Sequence, residues 1–137
     1  MGFVLDCSVA LAWVLPDEDS DYADAVLDHL VDDSAMVPGL WPLEVGNVLL
    51  VALRRRRIER DDVTRAVHAL QALPIVIDAH THRHALADTV ALGIAHGVTT
   101  YDAAYLELAR RMHLPLATLD RGLRRAAQDA GVDLLTI

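Results

Sequence analysis

A chain of 137 residues is long enough for one compact domain with a sizeable core, so we expect a single domain over residues 1–137. Hydrophobic residues make up 53% of the chain and aromatic residues only 4%, so the core must consist mainly of Ala, Val and Leu, as in buried strands covered by helices. The net charge of −8 argues against unspecific attachment to nucleic acid or to an anionic membrane.

No apolar run approaches the roughly 20 residues that span a bilayer, and a basic amino-terminal segment followed by a long apolar stretch is absent. We therefore expect a soluble, cytoplasmic protein without a membrane partner. The single cysteine, Cys7, excludes an internal disulfide, and its place at a strand end indicates a packed residue more than a nucleophile.

Short apolar segments alternate with longer segments of helical periodicity, which is typical of α/β layering. Predicted strands occupy residues 2–5, 35–37, 75–77, 116–119 and 134–136, and predicted helices occupy residues 8–15, 20–31, 43–53, 61–72, 84–96, 100–112 and 121–130.

The predicted helix ends rest on capping residues. Ser20, Asp61 and Thr100 are expected to cap the beginnings of three helices, because their side chains can accept from free amide groups. Gly97 is expected at the carboxyl end of the helix over residues 84–96.

Four acidic residues stand where an apolar segment ends or a helix begins: Asp6, Glu44, Asp102 and Asp120. In an open parallel sheet, ligands bind beyond the carboxyl ends of the strands. Several carboxylates gathered there repel one another, so either some are protonated or a bound cation holds them together. We favour the cation.

Hard cations such as Mg²⁺ and Mn²⁺ prefer oxygen ligands, and four carboxylates suffice for one ion or two. Such ions activate water and orient phosphodiesters in metal-dependent nucleases and phosphatases. Ser8 and Thr118 each lie two residues from a strand-end aspartate and could donate hydrogen bonds to it. Asn47 shares a helix face with Glu44 and could orient Glu44 or a metal-bound water.

Other interpretations of the same residues stay open. Each acid taken singly can be a helix cap. A phosphotransfer domain also places aspartates at strand ends, although the families we know rely on a lysine and this chain has none. The cluster His80, His82 and His84 invites a zinc site, but no cysteine is nearby, so surface residues at a helix entry are favoured.

All 12 basic residues are arginines, and most of them cluster, the longest run being residues 54–57. Arginine's planar fork suits phosphate or carboxylate, although a solvated helix face explains any one cluster equally well. Arg54, Arg55 and Arg121 are our candidates for contact with a nucleic-acid backbone.

Four segments in this order and spacing resemble the PIN domains, and among them the toxin ribonucleases of VapC type. They are Val-Leu-Asp-Cys-Ser at residues 4–8, Pro-Leu-Glu-Val-Gly-Asn-Val-Leu at 42–49, Tyr-Asp-Ala-Ala-Tyr-Leu-Glu-Leu-Ala at 101–109, and Leu-Ala-Thr-Leu-Asp-Arg-Gly-Leu at 116–123.

The resemblance implies a three-layer α/β/α sandwich with a central parallel sheet of about five strands. It also implies a Mg²⁺ or Mn²⁺ site formed by Asp6, Glu44, Asp102 and Asp120, and endonucleolytic cleavage of RNA. The expected partners are a VapB-type antitoxin, whose tail occupies the active site, and a second copy in a homodimer. A PIN-like module that binds RNA or protein without catalysis is the alternative.

Overall fold

The computed structural model describes residues 2–137, and a four-stranded parallel sheet organises them. Its strands are β1 (Phe3–Leu5), β2 (Ala35–Val37), β3 (Ile75–Ile77) and β4 (Leu116–Ala117), in the order β3-β2-β1-β4. Val4 of β1 pairs with Met36 on one side and with Leu116 on the other. The first strand of the chain is therefore central, and all its residues are buried.

Eight α-helices flank this sheet and confirm the predicted α/β sandwich. They are α1 (Cys7–Val14), α2 (Asp21–His29), α3 (Trp41–Arg54), α4 (Arg60–Gln71), α5 (Thr81–His84), α6 (Asp88–His96), α7 (Thr100–Met112) and α8 (Arg121–Asp129). A 3₁₀ turn, Leu30–Asp32, continues α2.

The sheet has slightly fewer strands than the predicted five. The closing segment forms one isolated bridge, Leu134 with Leu116, because β4 is only two residues long and offers it no longer ladder. The hydrogen bonds from Leu135 N to Leu116 O and from Leu116 N to Asp133 O, both 2.8 Å, form this junction.

Two predicted helix ends are confirmed. The Ser20 side chain accepts from Ala23 N and caps α2. Gly97 follows α6 in the left-handed conformation, with φ of 64°, which glycine adopts at little cost.

Two predicted caps were wrong by one or two positions. Thr99, not Thr100, caps α7, because its extended backbone lets the hydroxyl accept from Asp102 N. Glu59, not Asp61, precedes α4, and its amide group donates to the Asp62 carboxylate at 2.8 Å.

The predicted helix over residues 84–96 begins four residues later, at Asp88, as α6, and its predicted first residue, His84, is the last residue of the short helix α5. Ala87, with φ of −121° and ψ of −104°, leaves helical geometry between them. Within residues 2–137, no helix combines the length and the apolar character that crossing a bilayer requires.

Helix α7 crosses the core, and residues 103–109 are all buried. An ion-pair cluster fixes its carboxyl-terminal half. The Arg111 guanidinium donates to Glu107 at 2.8 and 3.0 Å and to Asp78 at 2.6 and 3.2 Å, and both carboxylates are buried. Asp78 directly follows β3, so the cluster joins α7 to the edge of the sheet.

Candidate metal centre

Asp6 directly follows the central strand and is only 4% exposed. Its Oδ2 accepts from the Ser8 hydroxyl at 2.6 Å and from the Thr118 hydroxyl at 2.7 Å. Burial raises the pKa of Asp6, the two hydroxyl groups oppose that rise, and the charge of Asp120 adds to it. The protein thus keeps a carboxylate in a place where ionisation is disfavoured unless a cation compensates it.

Thr118 connects Asp6 with Asp120. Its Oγ1 donates to Asp6 and accepts from the backbone amide of Asp120 at 3.0 Å. Both predicted hydroxyl donors, Ser8 and Thr118, therefore bond to Asp6, although Thr118 lies only two residues before Asp120 in the sequence. Ser8 Oγ also accepts from Leu119 N at 3.0 Å, which ties α1 to the end of β4.

Asp120 caps α8 as well as facing the other acids. Its Oδ1 accepts from Gly122 N at 2.9 Å and from Leu123 N at 3.4 Å. The capping role that the sequence left open is therefore real for this residue. The cap uses Oδ1 of Asp120, whereas no hydrogen bond to its Oδ2 is found within residues 2–137.

Glu44 lies in the first turn of α3, and its Oε1 accepts from the Tyr105 hydroxyl at 2.5 Å. Burial raises the pKa of Glu44, the Tyr105 hydrogen bond opposes the rise, and the charges of Asp6 and Asp102 add to it. Asn47, which we expected to orient Glu44 or a metal-bound water, is exposed, and its role stays a prediction. The hydroxyl group of Tyr105 from α7 donates to Glu44.

Asp102 lies in the first turn of α7, where the helix dipole favours a negative charge. Burial, followed by the charges of Asp120 and Asp6, nevertheless raises its pKa to about 6. With that pKa, Asp102 is largely protonated in mildly acidic solution, and a bound cation would favour its ionised form.

The four acids therefore interact electrostatically with one another. Asp102 interacts with each of the other three, and Asp6 also interacts with Asp120 and with Glu44. Within residues 2–137, no group of three or more His, Cys, Asp or Glu side chains is already arranged to hold a metal ion. The donor chemistry fits a hard divalent cation, since all four groups are carboxylates and three of them have pKa values raised by burial and by other members of the set.

Two residues of this crevice, Tyr105 and Cys7, were not predicted as site residues from the sequence. Tyr105 follows Asp102 by three positions, so helical spacing already put it on the same side of α7. Cys7 is partly buried, and burial, with the charges of Asp6 and Glu44, raises the pKa of its thiol far above the ordinary range. That shift argues against a thiolate nucleophile.

The candidate RNA-contact arginines lie at different distances from the acids. Arg121 directly follows Asp120 and is exposed. Arg54 and Arg55 are exposed at the far end of α3, and ten residues along the helix separate Arg54 from Glu44 by roughly 15 Å. Only Arg121 is thus adjacent to the crevice.

The histidine cluster lies at and within the short helix α5, as expected for surface residues at a helix entry. His80 and His82 are exposed. His84 is partly buried, and its Nδ1 lies 3.9 Å from carboxylate oxygens of both Asp88 and Glu107. The three histidines share no common ligand position in this structure.

Comparison with known proteins agrees with the resemblance to PIN domains that the sequence motifs indicated. The family model described as PIN domain matches residues 3–129. The chain is 32% identical over 123 residues to Ribonuclease VapC3 of Pyrobaculum aerophilum, a match that covers 90% of this chain and 92% of that one. It is 36% identical over 105 residues to Ribonuclease VapC1 of Mycobacterium tuberculosis, with 74% of each chain covered.

Among solved structures, PAE2754 from Pyrobaculum aerophilum superposes with a TM-score of 0.66 at 22% identity, covering 92% of this chain and 79% of that one. FitAcB from Neisseria gonorrhoeae superposes with a TM-score of 0.64 at 19% identity, covering 99% and 97%. At these identities the two structures show a common fold. The PIN domain family model matches most of the chain, so the chain belongs to the PIN domain family.

Proposed function

We propose that this protein is a metal-dependent endoribonuclease and the toxin of a type II toxin-antitoxin system. The observation that carries the proposal is the mutual repulsion within the acidic crevice, where Asp6, Glu44 and Asp102 each have a pKa raised in part by another member of the set. Relatives named VapC ribonucleases support the same reaction class.

In the proposed site, Asp6 and Asp102 are the principal ligands of a Mg²⁺ or Mn²⁺ ion, and Asp120 and Glu44 complete its surroundings or hold the attacking water. When bound, such an ion lowers the pKa of water and stabilises charge on the phosphodiester oxygens. Ser8 and Thr118 keep Asp6 in place by donating to Oδ2. Hydrolysis leaves a 5′-phosphate and a 3′-hydroxyl.

The RNA backbone needs cationic contacts, because the crevice itself is acidic. Arg121 is suited to this role by its place beside Asp120. Arg54 and Arg55 could contact a more distant part of the same strand, at roughly the span of two or three extended nucleotides from Glu44. Because RNA is cytoplasmic, we expect the protein to act there.

The proposed protein partners are a VapB-type antitoxin and a second copy of the chain. A cavity of about 580 Å³ beside Ser8 and Asp120 carries the acidic residues Asp17, Glu18 and Asp19 on its lining. That charge disfavours RNA and suits a basic segment of an antitoxin. The likeness to VapC ribonucleases and to FitAcB supports such a partner.

A homodimer would cover the apolar stripe on and beside α6. Ile94, 80% exposed, lies one turn after Val90 on α6, and Leu86, 92% exposed, lies in the turn just before the helix. Sedimentation of the purified chain tests this part of the proposal, and a monomer across the micromolar range would refute it.

The central test is cleavage of RNA by purified, antitoxin-free protein in Mg²⁺ and in EDTA. Asp6→Asn should lower the rate by at least about 100-fold, since it removes a principal ligand charge while the side chain keeps its size. Asp61→Asn, an exposed change on α4, is the matched control and should cleave normally.

Normal metal-dependent cleavage by folded Asp6→Asn would overturn the proposed chemistry. RNA binding without cleavage by the wild-type protein, equally in Mg²⁺ and in EDTA, would favour the non-catalytic module.

A further inference from the structure

The side chain of Tyr105 is fully buried, yet it carries a hydroxyl group. A phenylalanine would fill the same space without the cost of burying a polar group, which is recovered only when that group is hydrogen-bonded. The Tyr105 hydroxyl donates to Glu44 Oε1 at 2.5 Å and also interacts with the side chain of Cys7. The polar atom in this part of the core therefore serves a carboxylate of the acidic crevice.

This hydrogen bond joins two helices that are far apart in sequence. Glu44 lies in the first turn of α3, and Tyr105 lies within α7, 61 residues later. Asp102 lies three residues before Tyr105 on the same side of α7, roughly 4.5 Å along the axis. A fixed distance from Tyr105 to Glu44 thus also limits the distance from Asp102 to Glu44.

The hydroxyl donates to Glu44 from a side chain that is fully buried in α7. Glu44 is only partly buried and would otherwise choose among several rotamers with water as partner. A donor from a rigid, buried ring removes that freedom.

We propose that Tyr105 is a positioning residue, whose hydroxyl holds the Glu44 carboxylate at a set distance from Asp102 so that both can serve one divalent cation. This inference rests on the proposed function. Its closest structural support is the connection of Glu44 to α7 through a single hydroxyl group, at the place where we expected Asn47 to act.

The test compares Tyr105→Phe with Tyr101→Phe, a matched loss of one hydroxyl from the same helix at a position 64% exposed. Mn²⁺ binding is measured by titration calorimetry on the metal-free proteins, alongside steady-state RNA cleavage. Tyr105→Phe should weaken Mn²⁺ affinity and lower kcat by about 10- to 100-fold, the usual effect of losing a partner of a metal ligand, with KM for RNA unchanged. Tyr101→Phe should match the wild type in both.

Testing Tyr105→Phe in protein that already carries Glu44→Gln distinguishes a positioning role of Tyr105 from a general loss of packing. If Tyr105 acts through Glu44, Tyr105→Phe should have little further effect on Mn²⁺ affinity in Glu44→Gln protein. A purely structural role predicts an additive loss instead, and the thermal midpoint of the metal-free proteins reports any such loss independently.

The inference is overturned if Tyr105→Phe binds Mn²⁺ as tightly as Tyr101→Phe, if its effect adds fully to that of Glu44→Gln, or if the wild-type protein binds no Mn²⁺. Failure of the proposed function is a different result. Wild-type protein that binds Mn²⁺ but cleaves no RNA refutes the nuclease, while the affinities still decide the role of Tyr105.

Discussion

Arg111 forms ion pairs with two buried carboxylates at once, so removing its charge should be among the most destabilising changes on this chain. Asp78 is 6% exposed and Glu107 3% exposed, and each bonds to the guanidinium through two nitrogen atoms. Arg111→Met keeps much of the side-chain length but leaves both acids without that partner. Breaking a buried pair in this way typically costs about 3–5 kcal/mol.

The pKa of Asp78 gives a second measure of the same interaction. Burial alone would raise it, but the hydrogen bonds from Arg111 and Thr81 lower it from 3.8 to about 2. At about 1.4 kcal/mol per pKa unit, that gap corresponds to about 2 kcal/mol for Asp78. Because the folded-state pKa is depressed, this stability is present above pH 4 and is lost as the pH falls toward 2.

We therefore expect Arg111→Met to lower the free energy of unfolding by about 3 kcal/mol at pH 7, and the midpoint temperature by roughly 10 °C. Urea denaturation followed by tryptophan fluorescence measures it. The difference from wild type should shrink between pH 4 and pH 2. Arg110→Met, an exposed neighbour, is the control. If the two variants unfold at the same urea concentration, Arg111 does not compensate the buried acids and the reasoning is refuted.

Two further changes test other parts of the structure. Asp102→Asn should stabilise the metal-free protein in EDTA at pH 7 by about 1 kcal/mol, because it removes a half-buried charge and its repulsion by Asp120 and Asp6, both of which partial exposure screens. Equal unfolding curves for variant and wild type would show that burial and repulsion of this charge cost nothing measurable. Gly97→Ala should cost about 1 kcal/mol in the same assay, since φ of 64° strains a residue with a side chain, and an unchanged midpoint would mean that the turn relaxes.

Local sequence pattern sufficed for most of the framework. Strand β1 is a short apolar run, and α7 combines helical spacing with a capping threonine, so both could be placed within one or two residues from neighbours in sequence alone. The same reasoning placed the acids Asp6 and Asp120 at strand ends, because a strand and the polar residue after it are adjacent in sequence.

Long-range side-chain pairs were beyond that reasoning. The bond from Tyr105 to Glu44 spans 61 residues and that from Arg111 to Asp78 spans 33, and both depend on how helices pack rather than on any local preference. The predicted fifth strand, residues 134–136, forms only one bridge for a similar reason, since the length of its pairing depends on the length of its partner β4. The shift of the α7 cap from Thr100 to Thr99 reflects a local choice between two equivalent side chains.

The central place of β1 has a consequence for biosynthesis. Strand β1 cannot be enclosed until β4, near residue 116, has been made, because β4 is its neighbour on one side. Asp6 likewise lacks its partner Thr118, 112 residues downstream, until that residue has been made. A chain whose synthesis stops before residue 118 thus contains Asp6 without Thr118 and Asp120, so the complete crevice forms only after both have been made.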